Sequence, residues 1–191
     1  HVATFTETIS FHLNGDSVVA MHVPPAHTDG DAIVFFTRAN VVHMGDIFVS
    51  ASFPFVDRSS GGSINGIIGA AGKVLGMTSA ATKIIPGHGP LADRARLQAY
   101  DDMLVTMRDR MRREVAAGRT VEQVLASTIT TEYDAFGNAV KITDQRGNSG
   151  HFYFDKNNRQ VLHVDPEGYV TPSNYNPFGT VDSIVLYANK V

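Results

Sequence analysis

Three short segments in the first half of the chain place histidine or aspartate beside glycine. They are His27 in His-Thr-Asp-Gly-Asp, Asp46 after Gly45, and His88 in Pro-Gly-His-Gly-Pro. Each segment is predicted to be a loop at a strand end, where glycine lets the backbone approach closely. Imidazole nitrogen and carboxylate oxygen suit zinc, and one carboxylate can bridge two divalent ions. These three side chains are therefore candidate metal ligands.

Taken singly, each of these residues has a simpler explanation. A lone loop histidine is more often solvated or hydrogen-bonded than a ligand, and Gly-Asp is usually a turn. The ordered set favours a metal site, because the segments come in sequence with a predicted amphipathic helix between Asp46 and His88.

Several neighbouring polar residues have open roles. His43 is predicted either to pack or to orient Asp46, and Asp31 either bonds its own loop or tunes His27. His12 and His22 are predicted to be cross-strand or surface residues. The arginines of the long helix are predicted to form a solvated face, namely Arg108, Arg110, Arg112 and Arg113.

Composition excludes several kinds of partner. The chain has 191 residues, 43% of them hydrophobic, which is enough for a packed core. With Lys+Arg 16 against Asp+Glu 19, no basic excess exists to neutralise phosphates, so nucleic acid is not expected as a partner. The absence of cysteine excludes disulfides and thiolate ligands. The sequence lacks an apolar run of membrane-spanning length, so no membrane span is expected.

The elements that must position these loops follow from the apolar pattern. Residues 8 to 23 alternate about Asn14-Gly15 and predict a β-hairpin. The continuous apolar runs 32 to 36 and 41 to 42 predict strands that are covered on both faces. Residues 83 to 85 predict another short strand, which Pro86-Gly87 ends.

Three helices are predicted around these strands. One starts after Ser63, where apolar residues recur at helical spacing. A longer one carries apolar residues from Leu97 to Val115 and ends at Gly118. Thr120 and Gln123 make a capping box, which predicts a short helix from about Val121 to Ala126.

After Ser127 the composition changes to tyrosine, aspartate, asparagine and glycine. Tyr133-Asp134, Phe154-Asp155 and Tyr175-Asn176 recur at intervals of 21 residues, as do Asp144 and Asp165. This period predicts stacked β-hairpins in which each unit buries its aromatic residue against the next.

The residues around Gly45-Asp46 and Pro86-Gly87-His88-Gly89-Pro90 resemble the second half of the metallo-β-lactamase superfamily. The resemblance covers about residues 1 to 127 and implies half of an αββα sandwich, an α+β or α/β fold, incomplete at its N-terminus. In that family the residues at His27 and His88 bind the first and second zinc, and the one at Asp46 bridges both. The family hydrolyses its substrates with metal-bound hydroxide. The resemblance does not distinguish an ester, a thioester or a lactam as the substrate of this chain.

The family's first-half motif, His-x-His-x-Asp-His, does not occur in this sequence. Each metal is therefore expected to have too few ligands from this chain. We expect the chain to be an incomplete fragment, or another chain to supply the missing half-site. Whether the chain is an active enzyme is left open.

The segment Tyr133-Asp134-Ala135-Phe136-Gly137-Asn138 resembles the YD (Rhs-type) repeat, over about residues 131 to 191. This resemblance implies a small all-β region and slightly favours a periplasmic or secreted location. It also provides the alternative function, a non-enzymatic structural or binding module in which the first part is a relic of a hydrolase.

Overall fold

The computed structural model describes residues 4–127, 132–134, 137–143, 146–157 and 159–186. The chain divides into two compact units, His1–Ala126 and Ser127–Val191, called unit 1 and unit 2 below. Unit 1 mixes a sheet with helices, whereas unit 2 is all antiparallel β-structure. Within the described residues no helix is both long and apolar enough to cross a bilayer.

Unit 1 is built on a six-stranded sheet whose strands lie side by side in chain order. The strands are β1 Thr8–Leu13, β2 Asp16–His22, β3 Ala32–Phe36, β4 Val41–His43, β5 Lys83–Ile85 and β6 Ala92–Asp93. All neighbours are antiparallel except β4 and β5, which are parallel. The predicted hairpin is confirmed, and its turn residues Asn14 and Gly15 both have positive φ, as a two-residue turn requires.

Three helices complete unit 1. They are α1 Ile64–Met77, α2 Arg94–Ala116 and α3 Val121–Leu125, and a 3₁₀ turn covers Gly45–Ile47. The predicted helices are confirmed. Gly118 ends the second with a φ of 70°, and the capping box of Thr120 and Gln123 is present on the third.

The core lies between one face of the sheet and the two longer helices. Met21, Ile33, Val42 and Ile84 point to this face and are buried. The helices contribute the buried residues Ile67, Ala70, Ala71, Val74 and Leu75 from α1, and Leu97, Tyr100, Met103 and Leu104 from α2. Apolar burial of this extent is the main force that holds the sheet against the helices.

The opposite face of the sheet, called the open face below, is also apolar. Direct register partners form one row from Phe11 through Val18 and Phe36 to Val41. A second row joins Ile9, Ala20, Val34, His43 and Ile85. The side chains of both rows are half-buried, apart from Phe11, which is exposed.

The prediction that β3 and β4 are covered on both faces is therefore wrong for the described chain. Ile33 and Val42 on the core side are buried and Phe35 there is half-buried, and Val34, Phe36 and Val41 on the open face are also only half-buried. A continuous apolar run indicates that both faces of a strand can pack against apolar neighbours. It does not show that the same chain supplies both.

Unit 2 is one antiparallel meander of five strands. They are β7 Lys141–Thr143, β8 Ser149–Phe154, β9 Gln160–Val164, β10 Val170–Tyr175 and β11 Val181–Ile184. The strands form a single continuous sheet rather than a stack of separate hairpins, since β8 pairs with both β7 and β9, and β10 with both β9 and β11.

The 21-residue interval corresponds to a repeated turn. The side-chain oxygen of Asp155 accepts hydrogen bonds from the backbone of Asn157 and Arg159, and Asn176 accepts likewise from Phe178 and Thr180. Asp165 lies between these two residues in sequence, and its carboxylate accepts the equivalent bonds from the backbone of Glu167 and Tyr169. Asp134 accepts one from the backbone of Asn138. Asp144 and the repeat residues Ala135 and Phe136 lie outside the described residues.

Candidate metal centre

His27 lies in the loop between β2 and β3, and several hydrogen bonds fix this loop. The carboxylate of Asp31 accepts from both the backbone N–H and the hydroxyl of Thr28, each at 3.0 Å. The carbonyl of His27 accepts from the N–H of Asp57 at 3.0 Å. A Cβ at Gly62 would lie 2.3 Å from that carbonyl oxygen, so only glycine fits there. Asp31 thus holds the His27 loop in place.

The main chain of Phe55 sets the orientation and proton arrangement of the His27 ring. The Nδ1 atom lies 3.0 Å from the carbonyl oxygen of Phe55. Because a carbonyl only accepts, Nδ1 carries the proton, and Nε2 of the neutral ring presents a lone pair. The side chain is 19% exposed. This is how a metal-binding histidine is commonly held, by a hydrogen bond from its second nitrogen.

Asp46 follows β4 in a turn that needs a glycine before it. Gly45 has a φ of 54°, and its carbonyl accepts from the N–H of Gly87 at 2.8 Å. Its own N–H donates to Nδ1 of His43 at 3.1 Å. His43 therefore contacts the backbone next to Asp46.

His88 follows the neighbouring parallel strand β5, so it emerges at the same sheet edge as Asp46. Its carbonyl accepts from the N–H of Ser50 at 3.0 Å, and the hydroxyl of Ser50 donates to the carbonyl of Pro90 at 2.7 Å. The guanidinium of Arg96 donates to the carbonyl of Ser50 at 3.2 and 2.9 Å. The backbone on both sides of His88 is therefore fixed, although its side chain is 73% exposed.

The structure brings the three candidate ligands together around one carboxylate. Nε2 of His27 lies 3.7 Å from Oδ2 of Asp46, and Nε2 of His88 lies 3.3 Å from Oδ1. Each carboxylate oxygen thus faces a different imidazole. With Val49 and Phe55 the three residues line a small cavity of about 150 Å³.

Electrostatics favour a cation in this arrangement. A neutral His27 directs its Nε2 lone pair toward a carboxylate oxygen, and two acceptors repel each other unless a proton or a metal ion is shared between them. Two ligands of one tetrahedral zinc ion lie about 3.3–3.6 Å apart when the bonds are about 2.0–2.2 Å long. The observed separations of 3.3 and 3.7 Å are close to this range.

The donor set is nevertheless incomplete. Among the residues that the structure describes, no group of three or more histidine, cysteine, aspartate or glutamate side chains could hold a metal ion. A shared Asp46 gives each ion one imidazole and one carboxylate oxygen from this chain, whereas a catalytic zinc has three protein ligands. The residues present do not fit a complete metal centre.

His12 and His22 lie outside this cluster. His12 is hydrogen-bonded through Nδ1 to the hydroxyl of Ser17, and Nε2 of His22 lies 3.1 Å from the carbonyl oxygen of Asp29. Both bonds agree with the structural roles predicted for these residues. On α2, Arg108 pairs with Asp109 and Arg112 donates to Asn65.

Sequence reasoning missed Phe55. Its contribution to the site is a backbone carbonyl and a ring, which lies with its centroid 5.9 Å from that of His27. Every residue has a carbonyl, so no residue type marks this position. The sequence did indicate a role for Gly87, because the Pro-Gly-His segment places this glycine next to a candidate ligand. A Cβ there would lie 2.1 Å from Oδ1 of Asp46.

Comparison with known proteins finds likeness in structure only. No family model matches the sequence, and no curated protein does. A stereoselective inverting sec-alkylsulfatase, Pisa1 from Pseudomonas sp., matches 66% of this chain at 14% identity with a TM-score of 0.56. A metallo-β-lactamase from Pontibacter korlensis matches 53% at 17% identity and 0.45, and the B3 metallo-β-lactamase BLEG-1 matches 55% at 21% and 0.45.

The match to the alkylsulfatase shows a shared fold over that part of the chain. The architecture, a sheet with helices followed by a second, antiparallel sheet, is consistent with half of a metallo-β-lactamase fold. The chain covers 47% and 48% of the two lactamases and 21% of the alkylsulfatase, so it spans only part of each. The alternative, a repeat module with a relic hydrolase segment, is not favoured by these matches.

Proposed function

We propose that unit 1 carries half of the metal centre of a metallo-β-lactamase-type hydrolase. In this proposal His27 and Asp46 hold one zinc ion, and Asp46 and His88 hold a second. The observation that carries it is the position of one carboxylate between two imidazoles, each oxygen facing a different ring at 3.7 and 3.3 Å.

The surrounding residues prepare these ligands for a metal. The carbonyl of Phe55 keeps the proton of His27 on Nδ1, which leaves Nε2 free to donate its lone pair. The turn at Gly45 and the absence of a side chain at Gly87 let the carboxylate of Asp46 stand between the histidines. Zinc, when bound, would supply Lewis-acid activation of water and of the scissile group.

The missing ligands must come from elsewhere, and we propose a complementary polypeptide that carries histidine or carboxylate side chains. The open face supports this idea, since apolar surface next to an incomplete site is suited to burial against another protein surface. The substrate class includes esters, thioesters and lactams, and the likeness to an alkylsulfatase adds sulfate esters.

Zinc binding by the purified full chain tests this proposal. We expect zinc to bind weakly, because two ligands per ion are few, and His88→Ala or Asp46→Ala to weaken it at least tenfold. Isothermal titration calorimetry measures both affinity and stoichiometry. His12→Ala is the matched control, because this histidine lies on the hairpin and bonds Ser17. Equal zinc binding by the wild type, His88→Ala and Asp46→Ala would contradict the proposal.

A further inference from the structure

The cavity beside the candidate ligands has two chemically different walls. His27, Asp46 and His88 form a polar wall, whereas Val49 and Phe55 form an apolar one. A cavity of this kind suits a ligand that joins a polar group to an apolar group. Asp46, which faces both imidazoles, fixes where the polar group would lie.

Phe55 is held at this cavity by its own backbone rather than by burial. Its carbonyl accepts the hydrogen bond of His27, yet its side chain is 69% exposed. A single exposed aromatic residue is common on protein surfaces and needs no explanation by itself. Here the exposed ring also lines the cavity and contacts a candidate ligand, with an angle of 55° between the rings.

Two further exposed apolar residues lie near the cavity-lining residues in sequence. Phe53 lies two residues before Phe55, and Leu91 lies three residues after His88, and both are exposed. Both segments that bear the cavity therefore carry large apolar side chains on their exposed parts. Such side chains stabilise a bound ligand, because its apolar part leaves water when it packs against them.

We propose that Phe55 and Val49 form the binding surface for the apolar part of the substrate. The substrate class would then be compounds whose scissile polar group carries an alkyl or aryl chain. This inference rests on the proposed function, because it places the scissile group at Asp46 and the two histidines. It goes further by assigning a specificity-determining residue, Phe55.

The cavity volume limits the length of chain that gains affinity. About 150 Å³ holds about five water-sized groups of about 30 Å³ each. Each additional buried methylene group strengthens binding by up to about fourfold. One of these groups is the hydroxyl, so we expect affinity to rise with chain length until about four carbon atoms and then to level off.

Primary n-alkanols from methanol to heptanol are suitable probes. They are uncharged, and their hydroxyl can either donate to Asp46 or approach a metal, so the same series works with zinc and with EDTA. Affinities are measured by NMR titration of the full chain, following signals of Val49 and Phe55. We expect a rise of about two- to fourfold per methylene group in both conditions, because the apolar wall belongs to the protein.

Phe55→Ala separates the ring from the backbone carbonyl. The variant keeps the carbonyl that accepts from His27 and removes only the ring, so the dependence of affinity on alkanol chain length should become shallow. Phe55→Leu should keep part of that dependence. Phe178→Ala is the matched control, since this phenylalanine is 92% exposed in unit 2 and should leave the series unchanged.

The outcomes distinguish the two proposals. A flat alkanol series in the wild type, or equal slopes in the wild type and Phe55→Ala, overturns the inference whatever zinc does. Absence of zinc binding together with a steep series that Phe55→Ala flattens overturns the proposed metal centre and leaves the apolar binding surface in place.

Discussion

At the scale of single residues, the candidate centre depends on the absence of a side chain at position 87. Gly87 is pressed against Asp46, and a Cβ at this position would lie 2.1 Å from Oδ1 of Asp46 and 2.6 Å from the carbonyl carbon of Gly45. The second of these contacts is with backbone, which cannot rotate away. The carboxylate can occupy its place between the histidines only while residue 87 has no side chain.

Gly87→Ala is therefore expected to destabilise the protein and displace Asp46. Forcing a methyl group into a packed site costs about 1–3 kcal/mol or more. Urea unfolding measures this loss, and calorimetry should show weaker zinc binding than in the wild type.

The control is Gly72→Ala in the middle of α1, where a Cβ meets nothing within 4 Å. Replacing glycine by alanine inside a helix stabilises it by about 1 kcal/mol, so this variant should unfold at a higher urea concentration than the wild type. If both substitutions have the same effect on stability, the close contact at Gly87 does not constrain the site.

At the scale of elements, the loop from Asp57 to Gly62 supports His27 from the side of α1. The N–H of Asp57 donates to the carbonyl of His27, and its carboxylate accepts from the hydroxyls of Ser59 and Ser60. These two hydroxyls lower the pKa of Asp57 from 3.8 to about 2. The loop thus keeps its bonds as long as this carboxylate is charged.

The sign of the pH dependence follows from the lowered pKa. The charged form is favoured in the folded state, so its stabilising effect is complete above about pH 4 and is lost as the pH falls toward 2. We expect the difference in unfolding free energy between the wild type and Asp57→Asn to shrink over this interval. In Ser59→Ala the pKa of Asp57, measured by NMR, should move upward. An unchanged pKa in that variant would contradict the role given to the hydroxyl.

Much of unit 1 was predictable because its signals are local. The Asn14-Gly15 turn, the spacing of apolar residues in α1 and the capping box at Thr120 each determine their structure over a few residues. The meeting of His27, Asp46 and His88 was also expected, although from resemblance rather than from spacing.

Two features could not be predicted, because they depend on the assembled fold. The hydrogen bond of Phe55 to His27 uses a main-chain atom that every residue has, so the sequence contains no mark of it. The half-burial of Val34, Phe36 and Val41 depends on which surfaces this chain supplies, and an apolar run does not encode that. The apolar stripe of α2 likewise ends in exposed Met111 and Val115, beyond the core.

At the scale of the whole molecule, we propose that units 1 and 2 unfold independently. Leu97 is fully buried in the core of unit 1, and Leu97→Ala should cost about 2–5 kcal/mol there. Hydrogen exchange followed by mass spectrometry should then show faster exchange in peptides of unit 1 only.

The reciprocal variant is Tyr175→Phe, which removes the hydrogen bond of 2.9 Å from the tyrosine hydroxyl to the carbonyl of Gln160 in unit 2. Its effect, about 0.5–1.5 kcal/mol, should be confined to the peptides of β9 and β10. Faster exchange in both units after either substitution would show that they unfold together.

The register of β1 has a practical consequence for the assembly of this protein. Its apolar residues Ile9, Phe11 and Leu13 all project to the side away from the core, while Thr8, Ser10 and His12 project to the core side. Strongly hydrated anions such as sulfate and phosphate are excluded from protein surfaces and strengthen apolar association. Sulfate or phosphate in the buffer will therefore strengthen any association that buries this face of the sheet, whether or not a substrate or a metal is present.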